Sequence, residues 1–303
     1  MRMFRGYVGI ALLVGAGILL LSAGPAFTPP AYYAPEKNIV VQDTNIVYLD
    51  QGGGRPVLLI HGYCGNAYNW SDVFEPLSRD FRVLAPDLPG FGKSACPAHL
   101  EKHIMPWYAD LLAEFLDRLG VEKAVVVGNS MGGSIAAWLA LRHPEKVDKL
   151  VLVDAAGTRG GLLGLMKGMA QMTPSSMLIP MLHLVFPVNP ERLAGQPESE
   201  QKRVELAELR YKSELAKCSS QLMKWSAVSI GKDLPEKELG KISAATLIIW
   251  GSNDDLLNPK TAEKFRQKIS GSQVVVIAGG VHTPMQWKPE DFLKALKDFI
   301  SSN

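Results

Sequence analysis

The chain has 303 residues, 47% hydrophobic and 20% charged, the composition of an ordinary globular protein able to bury a large core. Its net charge of +2 leaves no electrostatic footprint for nucleic acid or another polyanionic partner. The three cysteines, Cys64, Cys96 and Cys218, include no C-x-x-C pair and argue against a disulfide framework or a zinc site.

The N-terminal residues stand apart from the rest. Arg2 and Arg5 precede Gly6 to Ala26, a stretch without charge and rich in Leu, Ile, Val, Ala and Gly. A membrane-spanning helix needs about 20 apolar residues, and this stretch suffices. A cleaved signal peptide has a shorter apolar core of about 7–15 residues and a small-x-small cleavage site. Ser22-Ala23-Gly24 offers such a site, but Pro25 follows it directly, and Gly24-Pro25-Ala26 is a weaker one. We therefore expect residues 1–35 to be an uncleaved anchor with its spacer, the alternative being a cleaved signal and a secreted or periplasmic protein. Arg2 and Arg5 would hold the N-terminus in the cytoplasm and place the remaining chain outside it. Phe27 to Pro35 reads as an extended spacer, with Tyr32 and Tyr33 at headgroup level.

Beyond the spacer, Asn38–Gln42 and Ile46–Leu49 flank Asp43-Thr44-Asn45 and predict a hairpin. Strands follow at 57–60 and 82–85. The first leads into His61-Gly62-Tyr63-Cys64-Gly65; the second into Asp87-Leu88-Pro89-Gly90, read as a turn whose Asp87 supports the preceding loop. Gly92-Lys93-Ser94 imitates the end of a phosphate-binding loop, but Asp87 stands where that loop needs a glycine. Helical periodicity runs from about His103 to Leu119 and stops at Gly120.

The apolar run Ala124 to Val127 then meets Gly128-Asn129-Ser130-Met131-Gly132, and a helical stretch follows from Ser134. Strand, G-x-S-x-G, helix is the setting in which a serine sits on a sharp turn and becomes a nucleophile. The pentapeptide alone is weak, since its three fixed positions recur by chance in roughly one 300-residue chain in ten. Partners decide the matter. A serine hydroxyl needs a base and the base needs an acid, in this architecture in the order Ser, acid, His. Beyond residue 183 the chain has one histidine, His282, in a Gly-rich loop after the strand-like Val274 to Ile277. The acid should leave an earlier strand: Thr246 to Trp250 leads to Asp254, with Asp255 and Asp154 (after the strand 150–153) as the alternatives. The oxyanion of an acyl-transfer transition state needs two N–H donors. Met131, following the nucleophile, and Tyr63, in the loop after strand 57–60, are the candidates. His61 precedes the serine and reads as a hydrogen-bonded scaffold, and Cys64 lacks the strand-to-helix turn of a nucleophile.

Strand and helix alternate up to residue 156 and predict a mostly parallel sheet with helices on both faces, with the site at the carboxyl ends of the strands. Between 157 and 241 the alternation stops. That segment reads as a helical cap whose methionines (Met166, Met169, Met172, Met177 and Met181) suit either plain packing or a pliant pocket roof, and whose apolar part would touch the bilayer as an entrance for lipids.

Through His61-Gly62, Asp87 to Ser94, Gly128 to Gly133, Gly251 to Asp254 and Gly280-Val281-His282, the chain resembles the α/β-hydrolase superfamily. The nearest branch is that of small esterases, lipases and monoacylglycerol-lipase-like enzymes with a cap. The resemblance spans roughly residues 38 to 300. It implies an α/β core from 36–156 and 242–303, a helical cap at 157–241, and no metal or organic cofactor. Relatives that are dehalogenases or epoxide hydrolases carry aspartate in place of the serine, so Ser130 argues against both. Asn258-Pro259 departs from the Val-Pro or Ile-Pro of many relatives and loosens the register of the acid loop. The expected function is hydrolysis of medium or long acyl esters, monoacylglycerols among them, through an acyl-enzyme on Ser130. The alternatives are a hydrolase of carbon–carbon bonds in ring-cleavage products, an acyltransferase or a perhydrolase with the same residues, and a non-catalytic binding protein. The expected partners are a small-molecule or lipid ester and, through the N-terminal segment, a membrane; nothing in the sequence sets an oligomeric state.

Overall fold

A computed structural model describes residues 34–63, 65–97, 105–157, 229–230 and 235–302. The anchor expected for residues 1–35 falls almost entirely outside them, as do Cys64 and nearly all of the segment 157–241 expected to form a cap. Among the described residues no helix is long and apolar enough to cross a membrane.

Eight strands form one sheet: β1 (Lys37–Val41), β2 (Thr44–Gln51), β3 (Pro56–Ile60), β4 (Arg82–Pro86), β5 (Ala124–Asn129), β6 (Val147–Val153), β7 (Ala245–Gly251) and β8 (Gln273–Ile277). Their order is β1-β2-β4-β3-β5-β6-β7-β8. β2 runs antiparallel to both neighbours, and from β4 to β8 every pairing is parallel. Among the described residues, helices with defined bounds are α1 (Ser71–Ser78), α2 (Met105–Arg118), α3 (Met131–Arg142), α4 (Lys260–Lys268), α5 (Pro284–Trp287) and α6 (Pro289–Ser301).

The central strands are unbroken apolar runs because both faces of the sheet are covered. Their side chains alternate between two cores. Leu58, Ile60, Val126, Leu150 and Leu152 join Leu112, Phe115, Ile135 and Phe265 from α2, α3 and α4 on one face. Val57, Leu59, Val125, Val127, Val151 and Val153 join Phe74, Leu77, Phe292 and Leu296 from α1 and α6 on the other. Each fully buried Leu, Ile, Val or Phe contributes about 1.5–3 kcal/mol relative to exposure, so the sheet is the rigid part on which loops can be held precisely.

The hairpin turn lies one residue earlier than the sequence suggests. Val41 pairs with Thr44, and the two-residue turn is Gln42-Asp43, with φ of 47° and 62°. Two consecutive left-handed residues match the right-handed twist of the flanking strands, and this releases Thr44 and Asn45 into β2.

Topology places the site. From β3 the chain moves to β4 on one side, and β5 then pairs with β3 on the other. The loops leaving β3 and β5 therefore diverge and open a crevice at their carboxyl ends, the usual ligand position in such sheets.

Candidate active site

Ser130 occupies the turn between β5 and α3 with φ 54° and ψ −116°. This region favours glycine, and holding a serine there costs about 1–3 kcal/mol. The turn is fixed from both sides: the Ser130 N–H donates to the Val153 carbonyl at 3.0 Å, and the Ala156 N–H donates to the Ser130 carbonyl at 2.9 Å. Space explains the flanking glycines. A Cβ on Gly128 would lie 2.2 Å from the Gly132 carbonyl oxygen, and one on Gly132 would lie 2.3 Å from that of Ile60. Ser130 itself is partly exposed at the crevice.

The candidate acid and base come from neighbouring loops. Asp254 follows β7 and has a fully buried side chain; His282 follows β8 and keeps 18% exposure. His282 Nδ1 lies 2.8 Å from Asp254 Oδ2. The other carboxylate oxygen, Oδ1, accepts the N–H groups of Leu256 and Leu257, both at 2.8 Å. Burial works to raise the Asp254 carboxyl; the His282 hydrogen bond and charge, the Leu257 amide and Asp154 outweigh it and hold the group below its ordinary value. With Nδ1 engaged by the carboxylate, Nε2 is the imidazole nitrogen left to take a proton.

The two loops are tied together by their backbones. Asn253 N–H donates to the Gly280 carbonyl at 2.8 Å, Ser252 N–H to Ile277 at 3.0 Å, and Gly279 N–H to the Ser252 hydroxyl at 2.9 Å. A Cβ on Gly251 would meet the Val281 carbonyl oxygen at 2.4 Å, so this close approach requires glycine. Asn129 connects the pair to the nucleophile turn. Its side-chain amide donates to the carbonyls of Val153 at 3.2 Å and His282 at 3.1 Å. Sequence reading missed Asn129, although its place inside the pentapeptide was a signal.

The two alternative acids differ in their surroundings. Asp255 is exposed. Asp154 is fully buried at the end of β6 with φ 40°, and its Oδ1 accepts the Gly251 N–H at 2.9 Å. Asp154, Asp254 and His282 offer ligand-type atoms within 4.8 Å of one another. A metal would require His282 Nδ1 and Asp254 Oδ2 to face a common ion; instead they are bonded to each other, so the arrangement fits an ion poorly.

On the other side of the serine lies the loop after β3. Gly62 packs so close that a Cβ there would be 3.2 Å from Ser130 Cβ and 3.3 Å from Asn129 Oδ1. Tyr63 follows it, and Met131 opens α3, where first-turn N–H groups have no intrahelical partner. His61 organises this loop. The Leu88 N–H donates to its Nε2 at 2.9 Å, so Nδ1 carries the hydrogen and donates to the Gly62 carbonyl at 2.7 Å. Burial pushes His61 down to about 4, against the raising effect of the Gly62 carbonyl, so it stays neutral. Asp87 braces the same region, accepting the N–H groups of Ala67 and Lys93, each at 2.7 Å. The loop ends in a capping box that sequence reading also missed: Asn66 accepts from Tyr68 N–H, while Asn69 accepts from Asn66 N–H. The three-residue spacing of the two asparagines was the available signal.

Comparison with known proteins agrees with this architecture. A family model described as the alpha/beta hydrolase fold matches residues 55–206, and the chain belongs to that family. It is 28% identical over 265 residues to a 2-hydroxy-6-oxo-2,4-heptadienoate hydrolase of Pseudomonas putida, covering 84% of this chain and 91% of the relative. It is 26% identical over 270 residues to Lipase 3 of a Moraxella species, covering 87% and 81%. Among solved structures, a bacterial membrane phospholipase A superposes with a TM-score of 0.66 at 29% identity, covering 88% of this chain and 85% of the other. The chain is thus a member of a hydrolase family whose similar members act on different substrates.

Proposed function

We propose that the chain is a serine hydrolase of carboxylic esters with medium or long acyl chains, working through an acyl-enzyme and held at a membrane by residues 1–35. The observation that carries this reading is the Asp254–His282 hydrogen bond of 2.8 Å, tied to the Ser130 turn through Asn129. In the mechanism, His282 Nε2 takes the Ser130 Oγ proton as the hydroxyl attacks the ester carbonyl. Asp254 keeps the imidazole in the tautomer with Nδ1–H and stabilises the imidazolium. The Tyr63 and Met131 N–H groups hold the oxyanion. The proton then passes to the leaving alkoxide, and water deprotonated by His282 releases the acid.

The lipid assignment is supported by the apolar stretch Gly6–Ala26 behind Arg2 and Arg5 and by likeness to a lipase and a membrane phospholipase. Orientation by the two arginines puts the catalytic domain on the extracytoplasmic side, and a signal peptide cleaved near residue 24 would leave it secreted or periplasmic. The likeness to a dienoate hydrolase favours a second reading, hydrolysis of a carbon–carbon bond by the same three residues.

The test is fluorophosphonate labelling of the full chain, with a p-nitrophenyl ester chain-length series measured beside a dienone substrate. The expected result is labelling lost in Ser130→Ala and ester turnover favouring longer acyl chains. Faster turnover of the dienone would select the second reading, and undiminished turnover by Ser130→Ala would overturn both.

A further inference from the structure

The Asp254–His282 pair has a buried neighbour that the mechanism above leaves idle. Asp154 lies at the end of β6, beside the β7 end that leads to Asp254. Its Oδ1 is fixed by the Gly251 N–H, while its Oδ2 is buried and, among the described residues, has no hydrogen-bond donor. Its carboxyl lies within 4.8 Å of the ligand-type atoms of Asp254 and His282. Two carboxylates this close, both out of water, disfavour charging each other, so one of them holds its proton far more firmly than a free carboxyl. The partners decide which one keeps a proton. Among the described residues, Asp254 accepts from two backbone N–H groups and from His282, whereas Asp154 accepts from Gly251 alone.

We propose that Asp154 is a neutral carboxylic acid whose Oδ2–H donates to the Asp254 carboxylate, making it a positioning residue for the Asp254–His282 pair. The proton accounts for the orphaned oxygen. It leaves one negative charge in the cluster, on the carboxylate that must stabilise the imidazolium, and it limits rotation of Asp254 away from His282. Burial above all, opposed by the Gly251 N–H and reinforced by the hydrogen bond and charge of Asp254, pushes Asp154 up to about 10, consistent with a retained proton. Among the described residues, the ionisable groups acting on this pair of carboxyls are His282 and the two aspartates themselves.

The inference rests on the serine-hydrolase reading for its consequence but not for the position of the proton, so two readouts are needed. The first is the rate constant for fluorophosphonate labelling of the full chain across pH, which requires no knowledge of the substrate. Asp154→Ala is expected to slow labelling about 10- to 100-fold, the range of one hydrogen bond to a charged group. Asp154→Asn should recover most of that loss, because its amide still accepts from Gly251 and donates to Asp254, and its acid limb should coincide with wild type. An acid limb moved down by about one pH unit or more in Asp154→Asn would mean that a charge had been removed, and would overturn the proposal. So would a folded Asp154→Ala that labels at the wild-type rate, or a stoichiometric cation that Asp154→Asn releases. The second readout is the infrared carbonyl band of a protonated carboxylic acid, expected in wild type near pH about 8 and absent in Asp154→Asn. Its absence from wild type overturns the proposal. A wild-type chain that shows the band but does not label would instead refute the serine-nucleophile reading.

Discussion

The proton retained on Asp154 should give wild-type stability a measurable pH dependence that replacement by asparagine removes. In the folded chain the carboxyl is pushed up to about 10, chiefly by burial; unfolding returns it to an ordinary value of 3.8. Between those values the folded state binds one proton that the unfolded state does not. Stability therefore falls as pH rises, by about 1.4 kcal/mol per pH unit for this one group. The contribution is complete below the unfolded value and is lost progressively towards the folded one. Asparagine does not titrate. The stability of Asp154→Asn minus that of wild type should then climb by about 4 kcal/mol between pH about 5 and about 8, a large part of an ordinary folding free energy of about 5–15 kcal/mol. Asp254 has the opposite sense, its carboxyl being held low. It is ionised in both states over that window and cancels from the difference. Urea unfolding at constant ionic strength, followed by tryptophan fluorescence at several pH values, gives the difference from the midpoints. A difference that stays flat would show that Asp154 enters the fold already ionised, and would refute the reasoning.

Asp254→Asn should lower kcat by about 10⁴-fold with little change in KM, because an amide facing Nδ1 selects the imidazole tautomer whose Nε2 already carries hydrogen; burst kinetics with an activated ester would detect it, and a loss under tenfold would count against the assignment of the acid. Lys149→Met tests a structural device far from the chemistry. The Lys149 ammonium donates to the carbonyls of Phe299 at 2.9 Å, Ile300 at 3.4 Å and Ser302, closing the C-terminal end of α6 where helix carbonyls lack partners. Its loss should cost about 1–3 kcal/mol by denaturant midpoint while leaving turnover per folded molecule unchanged, and an unshifted midpoint would mean that water replaces the ammonium without penalty.

Much of this fold was legible because its signals are local. The runs Val57–Ile60, Val125–Val127, Leu150–Val153 and Leu247–Trp250 are almost fully buried, and such strands announce themselves as continuous apolar stretches. The helix expected over about 103–119 corresponds to α2 at Met105–Arg118. Less visible were α1, which starts from a single 3₁₀ turn and contains Pro76, and α6, whose Phe292, Leu296, Phe299 and Ile300 keep helical spacing within a charged segment. The residues of the candidate site were readable as types in order, since strand, turn and helix are local. Their connections were not. Asn129 reaches His282 across 153 positions, Ser252 reaches Gly279 across 27, and Lys149 reaches Phe299 across 150. Asp154 shows the limit most clearly: as a residue type after a strand it matched Asp254, both are buried, and their hydrogen-bond partners separate their chemistry, the Gly251 N–H for one and the Leu256 and Leu257 N–H groups with His282 for the other.

Three adjacent strand ends explain why the site can hold so much strain. Ser130 and Asp154 are non-glycine residues with φ of 54° and 40°, and they end the neighbouring strands β5 and β6. At each, the sheet's hydrogen bonding continues past the strand: Ser130 N–H donates to Val153, Asp154 N–H donates to Ile249 on β7, and Ala156 N–H returns to Ser130. Each bond secures the backbone of one strained residue through its neighbour, so neither turn can relax alone. A left-handed residue also breaks the alternation of the pleat, which would otherwise send successive side chains into the two cores. The strain thus does chemical work at both positions: it lifts Ser130 towards the crevice and turns the Asp154 carboxyl onto the Gly251 N–H, beside the acid it is proposed to hold. The rigidity that these few strained bonds require comes from the buried aliphatic strands behind them, where the sequence is most ordinary.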